Sequence, residues 1–268
     1  MVDHEGNYLN QKLSKKLAKV RPKIDLGQKM LVVEAEEMEP LQIPLSYYPE
    51  RNQSLRVCGD QCTGRSYGNK VNSWFSRVLG VSCALVRNDP EASQRSATLR
   101  ESKTKSSGKE IDEKLISVSK IAFSNESQFL VISQNSLEKL TDAMREKYSN
   151  KEPPKDFDLR KTVPHSRFRP NFVLYSKGGD PHWEDEVSRF QIGQQSFAYV
   201  GPCARCAMVT IDQSTSKQGK EPLLTLASYR RSNGKIMFGS LFVHDSYNSS
   251  PPCFVSLRDR VIIISKSK

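Results

Sequence analysis

Apolar residues in this chain recur mostly in short runs, and helical spacing is clear in only a few places. Between Val71 and Leu79 they recur at i, i+3, i+4, i+7 and i+8, which predicts a helix that ends at Gly80. A second helix is predicted to begin at Asn135, with Asn135 as its N-cap and Glu138 completing a capping box. A short third helix is expected after Pro222.

The remaining apolar runs are short and bounded by polar or turn-forming residues, so they predict strands. Many short strands with few helices are typical of β-barrel-like domains. The predicted fold class is therefore mainly β with a few helices (α+β). The predicted strands cover residues 30–35, 41–45, 83–87, 129–132, 172–175, 197–200, 206–211, 236–238, 253–257 and 261–265.

Composition divides the chain into three parts. Residues 1–87 are predicted to form a smaller β-barrel-like subdomain, which opens in the middle of a hairpin, so we expect further sequence upstream. Residues 88–115 have almost no large apolar side chains and predict a disordered basic insertion. Residues 116–268 are predicted to form the main barrel-like domain.

Charge and cysteine content indicate the class of partner. The 268 residues include 41 Lys and Arg against 30 Asp and Glu, a net charge of +11, so anionic partners are expected. The first residues have no apolar core of a signal peptide, and the longest apolar run is too short to cross a bilayer. We therefore expect a cytoplasmic protein without a membrane partner, whose six cysteines are reduced.

Two thiols three residues apart give the first candidate site. In Gly201-Pro-Cys-Ala-Arg-Cys206, Arg205 lies between Cys203 and Cys206. A thiolate is a soft metal ligand, and a neighbouring guanidinium favours the ionised thiol. Alternatively, both thiols could pack as small apolar groups, or bind zinc together with Cys58 and Cys62. A thioredoxin-like motif is disfavoured because the pair is predicted to open a strand.

The second candidate site is Arg167-Phe-Arg-Pro-Asn171. Arginine recognises phosphate with two parallel hydrogen bonds, and an amide can donate to and accept from the edge of a heterocycle. Pro170 should keep the backbone extended, so that Arg169 and Asn171 point to the same side. Together, the two segments predict a pocket for an anionic ligand that carries a metal.

These motifs resemble those of MOSC domains, the C-terminal domains of molybdenum cofactor sulfurases, which also occur in amidoxime-reducing molybdenum enzymes. Other segments are similar to the sulfurase branch in particular, and the resemblance covers most of the chain outside residues 88–115. The resembling segments are Arg167-Phe-Arg-Pro-Asn171, Gly201-Pro-Cys-x-Arg-Cys206 with Asp212, Lys220-Glu-Pro-Leu-x-Thr-Leu226, Val57-Cys-Gly-Asp60, Tyr67-Gly-Asn-Lys-Val71, Trp74-Phe75 and Ser250-Pro-Pro-Cys-Phe254.

The resemblance implies a MOSC-type β-barrel that binds Mo-molybdopterin. It also implies a sulfurtransferase, which replaces a molybdenum oxo ligand by sulfide and so activates xanthine dehydrogenase and aldehyde oxidase. Sulfur would come from a pyridoxal-phosphate-dependent cysteine desulfurase domain that this sequence lacks. Cys206 matches the thiolate that faces molybdenum and is the implied catalytic residue. The implied cofactor-binding residues are Glu126, Ser127, Arg167, Arg169, Asn171, Cys203 and Arg205.

Two other functions remain as alternatives. An amidoxime-reducing molybdenum oxidoreductase would share the pocket, but Leu241 stands where those enzymes carry a tyrosine. A basic nucleic-acid-binding module would suit the net charge, but aromatic residues are not interleaved with the basic ones, so no nucleic-acid partner is expected. The resemblance also implies a Lys-Ser pair and an Asp-Arg pair that contact the cofactor, on a strand that we expect to precede the first residue of this sequence.

Overall fold

The structure is a computed structural model that describes residues 1–92, 95–97, 111–251 and 254–266. The chain forms two compact units, one of residues 1–95 and 211–218 and the other of residues 96–210 and 219–268. Residues 93–94 and 98–110 of the predicted insertion lie outside the described residues. A helix begins at Glu113, inside the predicted insertion, and the domain limits at 87 and 115 stay predictions.

The first unit is built from two small antiparallel sheets and one helix. Strands β1, β2 and β3 pair in sequence order, and so do β4, β5 and β6. The helix α1 lies between β5 and β6 in the sequence. These elements are β1 (Arg21–Asp25), β2 (Met30–Glu34), β3 (Leu41–Pro44), β4 (Arg51–Val57), β5 (Asp60–Ser66), α1 (Asn69–Leu79) and β6 (Val86–Asn88).

The predicted first helix is confirmed by α1. Its apolar face buries Val71, Trp74, Phe75 and Leu79 against β2 and β3 residues. The helix ends at Gly80, whose φ of 72° is left-handed and whose N–H donates to the Ser76 carbonyl. Glycine adopts this conformation without the steric cost that a Cβ would bring.

The second unit is a sheet with helices packed on it. Among the described residues its strands follow the order β13-β9-β10-β12-β7-β8, with β11 paired to β12. All pairs are antiparallel except β7 with β8. The elements are α2 (Glu113–Val118), β7 (Phe129–Ser133), α3 (Gln134–Lys147), β8 (Phe172–Leu174), β9 (Val187–Ile192), β10 (Gln195–Arg205), α4 (Leu223–Tyr229), β11 (Arg231–Ser232), β12 (Lys235–Asp245) and β13 (Val261–Lys266).

The mainly β fold class with a few helices is confirmed. A core cluster in the second unit joins α3 to the sheet, and Leu140, Met144 and Phe238 within it are fully buried. Among the described residues, no helix is long and apolar enough to cross a membrane.

Several sequence predictions were wrong in detail. The strand predicted over residues 206–211 is a 3-10 turn from Ala207 to Thr210, because β10 has already ended at Arg205. Residues 254–257 of another predicted strand are not in a strand. Helix α3 is capped by Ser133, whose Oγ accepts from the Ser136 N–H, whereas the Asn135 amide donates to loop carbonyls instead.

A buried histidine in the second unit makes the stability of the fold sensitive to pH. Both ring nitrogens of His182 are buried and have no hydrogen-bond partner among the described residues. The ring packs against Tyr229 and Phe238. Burial, together with the charge of Arg230, lowers the pKa of His182 to about 4.

We therefore expect the free energy of unfolding to fall as the pH is lowered from 6.5 to 4. In that window the unfolded chain binds a proton that folded His182 does not, which costs on the order of 2–3 kcal/mol in total. His182→Asn, which tolerates the left-handed backbone at φ 66°, should flatten this dependence. Urea unfolding across the pH range checks it, and equal slopes in the two proteins would contradict it.

Candidate functional site

One cavity in the second unit brings all the predicted site residues together. It has a volume of about 540 Å³, and its walls are the loop 122–128 with the start of β7, the segment around Phe168 and the end of β10. Sequence spacing alone does not require this convergence, since the residues lie up to 80 positions apart. The predicted residues that line it are Glu126, Ser127, Arg167, Arg169, Asn171, Cys203, Arg205 and Cys206.

The end of β10 positions the two thiols. The ladder to β12 is interrupted by irregularities between Tyr199 and Gly201 and again between Pro202 and Ala204, and then continues to Arg205. Such bulges bend a strand and change the direction of its side chains. Cys203 is half-buried beside an apolar cluster, whereas Cys206, directly after the strand, is exposed.

The two cysteines lie at the end of β10, whereas the sequence predicted that they stand at the start of a strand. Ala204 pairs with Met237 and Arg205 with Ile236, so the backbone between the two cysteines is extended. Residues three apart in a strand have Cα atoms about 10 Å apart, and a disulfide needs less than about 7 Å. We therefore expect the two thiols to make separate contacts within one cavity.

The zinc alternative finds no support in the described part of the chain. There, no group of three or more His, Cys, Asp or Glu side chains comes together as a metal site. Cys58 lies exposed at the β4–β5 turn with a φ of 54°, and Cys62 is buried in β5. Burial raises the pKa of the Cys62 thiol, which disfavours the thiolate that a metal requires.

Arg205 is held rigidly at the cavity wall. Its Nε donates to the Phe238 carbonyl at 2.8 Å and its Nη1 to the Phe168 carbonyl at 3.1 Å. Burial lowers the pKa of Arg205, although the guanidinium stays charged because its ordinary pKa is so high. Its Nη2 is buried and has no partner among the described residues, a costly state that an anionic ligand would relieve.

Arg167 lines the same cavity but has a different role. Its side chain is buried, and Nη2 contacts Asp156 Oδ2 at 2.9 Å. Nη1 donates to the Thr210 carbonyl, and the guanidinium lies 4.1 Å from the centroid of the Phe157 ring. The charge predicted to contact a ligand is therefore engaged by the protein, and Arg167 anchors the segment that carries Arg169.

Arg169 and Asn171 present donors at the surface. Arg169 is exposed and has a φ of 55°, so the extended backbone expected before Pro170 is not found at this residue. Its Nη1 lies 3.0 Å from the Met208 sulfur, a weak acceptor. Asn171 accepts from the Leu130 N–H through Oδ1 at 2.8 Å, which leaves its amide N–H groups as donors.

The loop 122–128 is fixed to β12 by two side chains, of which the sequence analysis named only one. Ser127 Oγ donates to the Phe242 carbonyl at 2.6 Å, so this hydroxyl holds the wall. Gln128 accepts from the His244 N–H at 2.7 Å and was not predicted. Glu126 is half-buried and is the one carboxylate among the described lining residues. Met208 was also missed, since a lone methionine carries no sequence signal.

Comparison with family models identifies the fold family. The model described as "MOSC domain" matches residues 118–260, more than half of the chain, and that described as "MOSC N-terminal beta barrel domain" matches residues 1–82. The chain belongs to the MOSC domain family. The predicted resemblance is confirmed, and the cavity lies within the matched MOSC domain.

Curated relatives of this MOSC protein are named molybdenum cofactor sulfurase. The human protein is 32% identical over 99% of this chain, the bovine one 28% over 99%, and the Arabidopsis thaliana one 31% over 96%. The chain spans only 28%, 29% and 30% of their respective lengths. These relatives and the MOSC domain support a role related to the molybdenum cofactor.

The two cysteines of the MOSC cavity should not form a disulfide with each other. Oxidation of the folded protein with diamide, followed by alkylation and peptide mass spectrometry, should show no Cys203–Cys206 bridge, because the extended backbone of Ala204 and Arg205 should keep the two residues too far apart. After unfolding in urea the same treatment should produce the bridge. A bridge formed in the folded protein would contradict the extended geometry.

The two arginines should differ sharply in their effect on stability. Arg167→Met should lower the free energy of unfolding by about 3 kcal/mol, because Asp156 loses its buried partner. Arg169→Gln, at an exposed position two residues away, should change it by less than about 0.5 kcal/mol. Urea unfolding measures both, and similar losses would show that Arg167 is no structural anchor.

Proposed function

We propose that this MOSC domain binds Mo-molybdopterin in the cavity as its substrate, and that a molybdenum oxo ligand is replaced there by sulfide. The recipients of the product would be xanthine dehydrogenase and aldehyde oxidase. The observation that carries the proposal is the combination in one cavity of an exposed thiol, Cys206, and a fixed guanidinium, Arg205, with an unsatisfied donor.

The chemistry of the cavity wall suits each part of such a ligand. The Arg169 guanidinium and the Asn171 amide can donate to a phosphate. The Glu126 carboxylate can accept from the amino and ring N–H groups of a pterin. Cys206 supplies a thiolate, a soft donor that could serve as a ligand to the molybdenum.

When bound, the cofactor would supply the metal centre on which oxygen is exchanged for sulfur. The chain's own residues would orient it: Arg205 and Arg169 fix the anionic groups, and Cys206 faces the metal from the rim. Sulfur would come from a pyridoxal-phosphate-dependent cysteine desulfurase, whose chemistry lies outside the regions that match the MOSC models.

An amidoxime-reducing oxidoreductase is the second candidate, because it would use the same cofactor and cavity. Leu241 on β12 lines the cavity and is largely buried. It offers no hydroxyl at the position where the reductases carry a tyrosine, and this favours the sulfuration proposal. Reduction of an N-hydroxylated amidine by the loaded protein with an electron donor would favour the reductase instead.

Metal and pterin content tests the proposal directly. Purified from a molybdopterin-producing host, the protein should carry near-stoichiometric molybdenum and pterin. Arg169→Gln should lower both about tenfold, because a charge-assisted contact to phosphate is worth about 1.5–3 kcal/mol. Cys206→Ser should keep pterin and lose most of the molybdenum.

Cys58→Ser is the matched control, since it removes an exposed thiol from the first unit and should change neither content. Molybdenum is measured by mass spectrometry and pterin by the fluorescence of its oxidation product. A folded protein without pterin, or equal losses in Cys58→Ser and Cys206→Ser, would overturn the proposal.

A further inference from the structure

Met208 has a fixed position beside the proposed anion site. It lies on the 3-10 turn Ala207–Thr210, directly after Cys206, and its half-buried side chain lines the cavity. The turn is held by the Val209 N–H, which donates to the Cys206 carbonyl at 3.2 Å. It is also held by Thr210 Oγ1, which donates to the Ala207 carbonyl at 2.7 Å.

The Met208 sulfur contacts the most accessible arginine of the cavity. Its distance to Arg169 Nη1 is 3.0 Å, and within the described residues this is the hydrogen-bond contact of the Arg169 side chain. A thioether is a weak acceptor, so a phosphate oxygen competes with it easily. The guanidinium is thus held near the cavity but remains available to an anion.

We propose that Met208 is a site of reversible oxidation that controls anion binding in this cavity. The inference rests on the proposed function, because it assigns a regulatory group to the same site. The oxidant is a peroxide, and the agent that restores the thioether is a methionine sulfoxide reductase.

The chemistry is a two-electron oxygen transfer. The sulfur lone pair attacks one oxygen of hydrogen peroxide, and an S–O bond forms as the O–O bond breaks. The transferred oxygen gives up its proton, and the departing hydroxide takes up a proton and leaves as water. Sulfur is oxidised by two electrons and peroxide is reduced by two. The product replaces a weak acceptor beside Arg169 with a strongly polar S=O group.

That oxygen would compete with the ligand for the same donor. A sulfoxide within reach of Arg169 Nη1 accepts a charge-assisted hydrogen bond, so the guanidinium is retained by Met208 and is less available to phosphate. The added oxygen also narrows the cavity on the side of Cys206. Oxidation should therefore weaken anion binding and leave the fold intact.

The test measures the affinity of the 268-residue protein for inorganic phosphate by calorimetry at low ionic strength. Peroxide treatment, followed by dithiothreitol to restore reversibly oxidised thiols, should raise the dissociation constant about tenfold. Methionine sulfoxide reductase should then return it to the starting value. Met208→Gln, which places an amide oxygen near Arg169, should bind phosphate weakly without any peroxide.

Two leucine variants separate Met208 from other oxidisable groups. Met208→Leu should show the same affinity before and after peroxide, because leucine keeps the volume without the sulfur. Met38→Leu, at a half-buried methionine of the first unit, should keep the full peroxide response. If untreated protein binds phosphate through Arg169 but peroxide has no effect, this inference alone fails; if untreated protein binds no phosphate, the anion site of the proposed function fails with it.

Discussion

The pairing of β10 with β12 is the constraint on which the cavity depends. The ladder runs from Ser196 opposite Asp245 to Arg205 opposite Ile236, and pairing continues on both sides of the two irregularities at Val200 and Cys203. From β12, the Phe238 carbonyl receives Arg205 Nε and the Phe242 carbonyl receives Ser127 Oγ. Two walls of the cavity therefore attach to carbonyls of one strand, four residues apart. A shift in the register of β10 would displace the thiols and the guanidinium together.

Three arginines that line the cavity differ in their burial and in their partners. Arg167 is buried and neutralised by Asp156, Arg205 is fixed by two carbonyls, and Arg169 is exposed. A buried charge needs a partner from the protein, whereas an exposed one is screened by water until a ligand arrives. Arg167 thus supports the segment that carries Arg169, the exposed group that the proposed function assigns to an anion.

Sequence reasoning predicted the fold class from the many short apolar runs, and it took the family and the residues that line the cavity from the resemblance to MOSC domains. It could not predict the roles of those residues. Nothing in Arg-Phe-Arg-Pro-Asn shows that Arg167 turns inward to Asp156 while Arg169 turns outward. The cap of α3 was missed for a similar reason: Asn135 and Ser133 both suit a cap, and Asn135 is drawn away by the carbonyls of Ser176 and Gly179. The bulged β10 was shortened in the prediction because Gly201 and Pro202 resemble a strand end.

Two features that look unfavourable for folding lie at the cavity. Arg169 has a left-handed backbone, which costs a non-glycine residue of order 1 kcal/mol, and Arg205 keeps a buried donor without a partner among the described residues. Each could be relieved by a local substitution or a neighbouring acceptor. The Phe238 and Phe168 carbonyls instead hold the rest of the Arg205 guanidinium, and the Arg167–Asp156 pair anchors the segment that carries Arg169. Under the proposed function, an anionic ligand would supply the acceptor that the fold does not give to Arg205 Nη2.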